Sequence, residues 1–183
     1  MTRVFVAGSR AVSRLSPHVR ERLDNIMKQK LTVLVGDANG ADKAVQRYLA
    51  KSHYRNVVVY SMDVFRNNVG DWPTRPHTAE PGAKRDRHYY GVKDLAMARE
   101  ADCGLMLWDG VSKGTLTNVV NLLSARKKTL LYLSPKKCFF KVHTFEDLQE
   151  ALRANGIGDL PEFLASLGIR AAVSQDLPLA MLR

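Results

Sequence analysis

The chain has 183 residues, of which 45% are hydrophobic and 25% are charged, and its formal net charge is +10. This length and composition exclude a disordered chain and predict one globular domain with a sizeable core. No apolar run approaches the roughly 18 residues of a membrane span, which excludes a transmembrane protein, and the positive charge favours anionic partners.

The sequence also restricts location and metal chemistry. Residues 3–7 are typical of a strand rather than of a signal peptide, so we expect a cytoplasmic protein. Cys103 and Cys138 have neither the spacing of a metal site nor the surroundings of a disulfide framework. The five histidines are scattered along the chain. We therefore predict no metal site and no cofactor.

Strands and helices alternate at the beginning of the chain. Residues 3–7 form an apolar strand that stops at Gly8-Ser9-Arg10, and Ser16-Pro17 provides the cap and first turn of a helix. The second strand covers residues 31–35. It ends in Gly36–Gly40, a glycine-rich turn that leads directly into the next helix.

The middle of the chain interrupts this alternation. Apolar residues from Ala41 to about Lys51 recur with the spacing of one buried helix face. Residues 56–60 then predict a strand that is buried on both faces. Ser61–Pro81 is rich in proline and long for a connection without structure, so it is either a functional flap or a poorly ordered insertion.

The next strand also ends in a glycine-containing turn. The helix before it begins near Ala83, with Val92 on its apolar side and Lys93 largely off that side. Residues 103–108 form the strand, which ends in Asp109–Thr115. A helix follows at once, so the sequence of strand, turn and helix occurs for the third time.

The remaining residues predict a last parallel strand and a C-terminal extension. Residues 129–133 complete the parallel set, and residues 138–142 are a candidate for a short additional strand. Thr144–Asp147 has the pattern of a capping box that opens a helix. Another short helix is predicted near residues 159–168, and residues 169–183 are either a docked tail or a partner-binding arm.

Three turns at strand ends form the predicted site. Right-handed crossovers bring Gly8–Arg10, Gly36–Asp42 and Gly110–Thr115 to one edge of the sheet. Their glycines let phosphate oxygens approach the main chain, their hydroxyls can donate hydrogen bonds, and Arg10 and Lys113 can neutralise charge. Each turn alone is also typical of ordinary α/β loops, but the three together predict a site for an anionic ligand.

The ordered motifs Gly8-Ser9-Arg10, Gly36–Asp42, Pro81–Arg87 and Gly114-Thr115 resemble the SLOG superfamily of Rossmann-like proteins, in particular its small YspA-like members. The resemblance covers roughly residues 3–133. This superfamily includes the cytokinin-activating phosphoribohydrolases (LOG proteins), DNA-processing proteins of the DprA type and ligand-sensing domains of bacterial defence systems. The resemblance implies binding of a nucleotide or a nucleotide-derived ligand at the edge of the sheet.

The resemblance does not extend to the catalytic glutamates of the LOG proteins. Their motif continues with glutamates where this chain has Thr117 and Asn118. An amide can bond a ribose hydroxyl but supplies no carboxylate charge to the reacting sugar. The candidate catalytic carboxylates that remain are Asp109, Asp42 and Asp37. For Asp42, which lies in a first helical turn, a dipole or capping role is the alternative.

We therefore interpret the chain as an α/β protein, a three-layer sandwich with a parallel Rossmann-like sheet and a C-terminal helical extension. A nucleotide-binding domain covers residues 1–135, and residues 136–183 form an extension packed on it. The expected function is binding of a nucleotide or nucleotide-derived phosphorylated ligand, as a sensor or scavenger. The alternatives are a nucleotide N-glycosidase (phosphoribohydrolase) and a DprA-like module that binds nucleic acid. We also expect a homo-oligomer.

The residues expected to bind the ligand come from the three turns and from two positions that the resemblance adds. They are Gly8, Ser9, Arg10, Gly36, Asp37, Gly40, Ala41, Asp42, Arg85, Ser112, Lys113, Gly114, Thr115 and Asn118.

Overall fold

The computed structural model describes residues 1–80, 82 and 86–166. Its strands are β1 (Arg3–Gly8), β2 (Thr32–Gly36), β3 (Val57–Ser61), β4 (Thr74–Pro76), β5 (Cys103–Trp108), β6 (Thr129–Leu133) and β7 (Cys138–Val142). They form one sheet in the order β4-β3-β2-β1-β5-β6-β7. All neighbours are parallel except β6 and β7, which pair antiparallel.

Helices cover both faces of this sheet. They are α1 (Pro17–Lys28), α2 (Ala41–Lys51), α3 (Arg87–Glu100), α4 (Lys113–Ser124), α5 (Phe145–Ala154) and α6 (Leu160–Ser166). Alternate side chains of β1 point to opposite faces, as strand geometry requires. Val4 belongs to the core that contains Val19 of α1 and Leu49 of α2, whereas Phe5 belongs to the core that contains Met97 of α3 and Leu116 of α4. The predicted three-layer α/β sandwich is confirmed.

Capping residues set the helix starts. Ser16 caps α1, with Pro17 in its first turn, and Thr144 and Asp147 form the predicted capping box of α5. The start of α3 is also set by a cap. Asp86 accepts the N–H groups of His88 and Tyr89, so the described helix begins after Asp86, and the predicted start near residue 83 lies outside the described residues.

The buried face of α3 differs from the prediction. Lys93 was expected largely off this face, but it is 3% exposed, whereas Val92 on the predicted apolar side is 39% exposed. The physical reason is that Lys93 lies among carboxylates instead of apolar side chains. A pattern of apolar residues alone does not identify such an environment.

Part of the segment 61–80 packs against the sheet. β4 pairs with the end of β3, and Trp72 beside it is buried. The indole N–H of Trp72 donates to the Tyr54 carbonyl at 2.8 Å, and Asn68 exchanges two hydrogen bonds with the Trp72 backbone. The contacts of Asn68, Trp72 and β4 favour a packed segment over a poorly ordered insertion.

The C-terminal extension shares the core of the sheet up to residue 166. Val142 of β7, Leu152 of α5 and Phe163 of α6 belong to the same apolar cluster as Trp108 of β5. The segment predicted as a tail or arm, 169–183, lies outside the described residues. No helix in the described ranges is both long enough and apolar enough to cross a membrane.

Candidate functional site

The strand order reverses between β1 and β5. The chain leaves β1 toward α1 on one face and leaves β5 toward α4 on the other. A crevice at such a switch point is where ligands bind in open α/β sheets. We call the ends of β1, β2 and β5 the carboxyl edge. The three predicted turns all lie there.

Ser9 joins these turns through hydrogen bonds. Its N–H donates to the Leu107 carbonyl at 2.9 Å, and its carbonyl accepts the N–H of Ala41 at 3.1 Å, at the start of α2. Its hydroxyl donates to Asp109 Oδ2 at 2.6 Å. Ser9 is buried, so it holds the β1 turn against both other turns instead of presenting a free hydroxyl.

Two glycines permit this close packing. A Cβ atom on Gly8 would overlap the Leu107 carbonyl oxygen, and one on Gly40 would overlap the Arg10 backbone. Gly40 also has a φ of 82°, which side chains with a Cβ rarely adopt. The missing side chain of Gly40 thus lets α2 start against the β1 turn.

Asp109 organises the start of α4. Its Oδ1 atom accepts the N–H groups of Val111 at 3.1 Å and Ser112 at 2.8 Å, and Oδ2 accepts the Ser9 hydroxyl. Burial raises the pKa of the Asp109 carboxyl, but these hydrogen bonds outweigh it and the pKa is lowered overall. Asp109 is therefore an ionised group whose two oxygens are occupied.

The first turn of α4 is the open part of the carboxyl edge. Ser112 caps the helix, and its oxygen accepts both the N–H and the hydroxyl of Thr115. The N–H groups of Lys113 and Gly114 have no acceptor within the helix, as at every helix start. A Cβ atom on Gly114 would meet no atom within 4 Å. Backbone donors and the helix dipole therefore favour an anion at this position.

Two arginines lie beside the ring of Tyr90, in the first turn of α3. The guanidinium carbon of Arg66 is 4.7 Å from the ring centroid, and that of Arg10 is 6.0 Å away. Both distances are within the cation–π range. Arg10 is exposed and, within the described ranges, forms no ion pair.

Asp37 holds Arg66 in this place. Its carboxylate is 0% exposed and accepts the guanidinium of Arg66 at 2.6 and 3.2 Å, as well as the Arg66 backbone N–H at 3.1 Å. Asn67 donates to the Asp37 carbonyl at 2.7 Å. The buried amide of Gln46 bonds Gly36 at 2.8 Å and Val69 at 2.9 Å. The segment after β3 is thereby fixed over the turn that follows β2.

A buried ionic cluster lies next to this turn. Lys93 Nζ is 2.6 Å from Asp94 Oδ1, and Asn118 donates to Asp94 Oδ2 at 3.4 Å. A Cβ atom on Gly36 would overlap Asp42 Oδ2 and lie 2.8 Å from Lys93 Nζ. Gly36 therefore leaves the space in which Asp42 and Lys93 approach each other.

The two buried charges of this cluster have shifted pKa values. Burial raises the pKa of Asp42 to about 7, although the positive charge of Lys93 opposes the shift. Burial lowers the pKa of Lys93, but Asp94 and Asp42 outweigh it and the pKa is raised overall. Lys93 therefore stays charged, and Asp42 exchanges its proton near neutral pH.

Sequence reasoning missed three residues of this region: Arg66, Tyr90 and Lys93. Arg66 lies in a segment without a motif, and its partner Asp37 is 29 positions away. Of the predicted residues, Arg85 lies outside the described ranges, so its contact with a ligand stays a prediction. The structure brings the other thirteen to the carboxyl edge or to the ionic cluster beside it. No group of histidine, cysteine, aspartate and glutamate that could hold a metal occurs among the residues described.

No protein-family model and no curated protein matches the chain. Among solved structures, the chain is similar to DNA processing protein A from Helicobacter pylori, which is described for its single-stranded DNA binding mode. The identity is 13% and the TM-score 0.56, over 91% of this chain and 80% of that one. The shared fold is Rossmann-like. At this identity the likeness shows the fold alone.

DNA processing protein A (DprA) from Streptococcus pneumoniae is similar too. Its identity to this chain is 14% and the TM-score is 0.49, over 94% of this chain and 59% of that one.

Proposed function

We propose that the chain binds a nucleotide or nucleotide-derived phosphorylated ligand at the carboxyl edge, as a sensor or scavenger. The observation that carries this proposal is the joint position of two anion-binding features. The first feature is the open first turn of α4, with Lys113 and Gly114. The second is the exposed Arg10. It directly follows Ser9, whose hydroxyl donates to Asp109 at the base of the α4 turn. Both features attract a phosphate.

The surroundings of Arg10 are also suited to bind the base of a nucleotide. The ring of Tyr90 has guanidinium groups on or near its face, and aromatic and guanidinium planes stack on nucleobases. The phosphate would lie at α4 and Arg10, with the base toward Tyr90.

The carboxylates of the site favour binding over hydrolysis. Both carboxylate oxygens of Asp37 accept hydrogen bonds from Arg66, and those of Asp109 accept hydrogen bonds from three donors. Asp42 is buried next to Lys93. A base or nucleophile must reach the reacting atoms, and none of the three carboxylates offers a free oxygen at the surface. The phosphoribohydrolase alternative therefore has less support.

Nucleic acid is the second candidate ligand. It is supported by the net charge of +10 and by the fold shared with a protein described as binding single-stranded DNA. A nucleic-acid module would bind better as the strand lengthens, and its affinity would fall steeply with salt.

Isothermal titration calorimetry with the four 5′-nucleoside monophosphates tests the proposal. We expect the wild type to bind at least one of them, and Arg10→Ala to weaken it about tenfold to hundredfold, the range of a charge-assisted hydrogen bond. Arg55→Ala is the matched control, because this exposed arginine precedes β3 at the opposite edge of the sheet. Equal losses in both variants, or no binding by the wild type, would contradict the proposal. Binding of a fifteen-residue oligothymidylate without binding of any monophosphate would favour the nucleic-acid alternative.

A further inference from the structure

A groove lies at the carboxyl edge on the α1 side of the Ser9–Asp109 hydrogen bond. Its volume is about 490 Å³, within the range of about 300–1,000 Å³ that is usual for small-molecule sites. One wall is the loop 11–16 before α1, and the other is formed by residues 134–137 after β6, with Val19 and Tyr132 between them. These two residues belong to the core of α1 and α2, so the groove faces away from α3 and Tyr90.

The groove combines an apolar lining with free positive charge. Arg14 and Lys137 stand in its two walls, both exposed and, for the residues described, without an ion pair. The Ser134 hydroxyl oxygen is buried and lacks a hydrogen-bond partner in the same part of the chain. Two cations beside an apolar lining suit a ligand that carries both a phosphate and a ring.

The groove is continuous with the site proposed above. Ala11 lines it and directly follows Arg10, so the two Cα atoms are about 3.8 Å apart. Asp109 also lines the groove while it organises the start of α4. An occupant of the groove would therefore lie next to a phosphate bound at Arg10.

We propose that the groove is a subsite for a second nucleotide. The ligand would then be a dinucleotide that crosses the switch point between β1 and β5, and this proposal rests on the proposed function. The apolar lining takes the second base, and Arg14 and Lys137 bind its phosphate. A small linear dinucleotide and the end of a single strand share this chemistry.

Calorimetry with 5′-phosphorylated dinucleotides and the corresponding monophosphates tests the subsite. We expect the wild type to bind a dinucleotide at least tenfold more tightly than its monophosphate. Arg14→Ala combined with Lys137→Asn should remove this gain and change monophosphate affinity less than twofold. Asparagine is used because Lys137 has a φ of 51°, which asparagine tolerates. Arg55→Ala combined with Lys128→Asn is the control, since both residues precede strands at the opposite edge.

The outcomes separate the two proposals. Monophosphate binding with no gain for any dinucleotide, or equal losses in the two double variants, would overturn the subsite and leave the proposed function standing. Failure of both ligand classes to bind would overturn the proposed function as well. If the subsite exists, a fifteen-residue oligonucleotide that binds no better than the dinucleotide indicates a small ligand, and a further gain with length indicates a single strand.

Discussion

The Arg66–Asp37 pair fixes the segment that brings Arg66 to the carboxyl edge, and Arg66→Ala tests its contribution to stability. The substitution leaves the Asp37 carboxylate, which is 0% exposed, without its guanidinium partner. Removing one partner of a buried pair costs about 3–5 kcal/mol. The Arg66 side chain is 27% exposed, so water can partly replace it. We therefore expect a loss of about 2–4 kcal/mol in the free energy of unfolding.

Arg75→Ala is the matched control for this measurement. Arg75 also pairs with a carboxylate, that of Glu100, but its side chain is 52% exposed. Exposed ion pairs contribute only about 0–1 kcal/mol. Urea denaturation at pH 7 measures both losses, with unchanged slopes showing that the midpoints report stability.

A second substitution, at Asp37, should partly rescue the stability of the Arg66→Ala variant. If the loss arises from an unpaired buried charge, Asp37→Asn combined with Arg66→Ala should be more stable than Arg66→Ala alone, because the amide carries no charge. Equal losses for Arg66→Ala and Arg75→Ala, or a double variant less stable than Arg66→Ala, would refute the reasoning.

Three further predictions concern the turns and the ionic cluster. The pKa of Asp42 is about 7 in the folded protein, against an ordinary value of 3.8. Between these two pH values the folded state binds a proton that the unfolded state has lost. The free energy of unfolding therefore falls as the pH rises through this range, by up to about 1.4 kcal/mol per pH unit. Urea denaturation at pH 5 and pH 7.5 measures this effect. The stability of Asp42→Asn relative to wild type should be higher at pH 7.5 than at pH 5, and the same difference at both pH values would contradict this. Gly40→Val should lower the thermal midpoint and abolish nucleotide binding, because its side chain would overlap the Arg10 backbone at a positive φ; an unchanged midpoint would refute this packing role. Wild-type protein incubated with nucleoside monophosphates should release no free base in liquid chromatography, and release that disappears in Asp109→Asn would favour the phosphoribohydrolase alternative.

The fold could be predicted because its signals are local. Each of β1, β2 and β5 ends in or just before a glycine-containing turn, and the cap residues at Ser16 and Thr144 mark where helices begin. Parallel strands with right-handed crossovers then place the turns at one edge without further information. The sequence alone was therefore enough to predict that the three turns lie together at one edge of the sheet.

The ionic cluster and the Arg66 segment could not be predicted in this way. A helical pattern assigns a lysine to the solvent side. The buried position of Lys93 becomes favourable because tertiary packing brings Asp42 of α2 close to Lys93 and its neighbour Asp94. Likewise, the pairing of Arg66 with Asp37 joins residues from two separate connections. Such long-range pairs have no periodicity that a single sequence would reveal.

Gly114→Val tests whether a nucleotide phosphate binds at the first turn of α4. The position is open in the protein, so the new side chain should leave the urea midpoint nearly unchanged and obstruct only a bound ligand. Gly158→Val, at an equally open glycine between α5 and α6, is the control. Calorimetry with the monophosphate that the wild type binds best should show at least about a tenfold loss of affinity for Gly114→Val, the equivalent of roughly 1.4 kcal/mol, and none for Gly158→Val. Unchanged affinity in a folded Gly114→Val protein would contradict the claim.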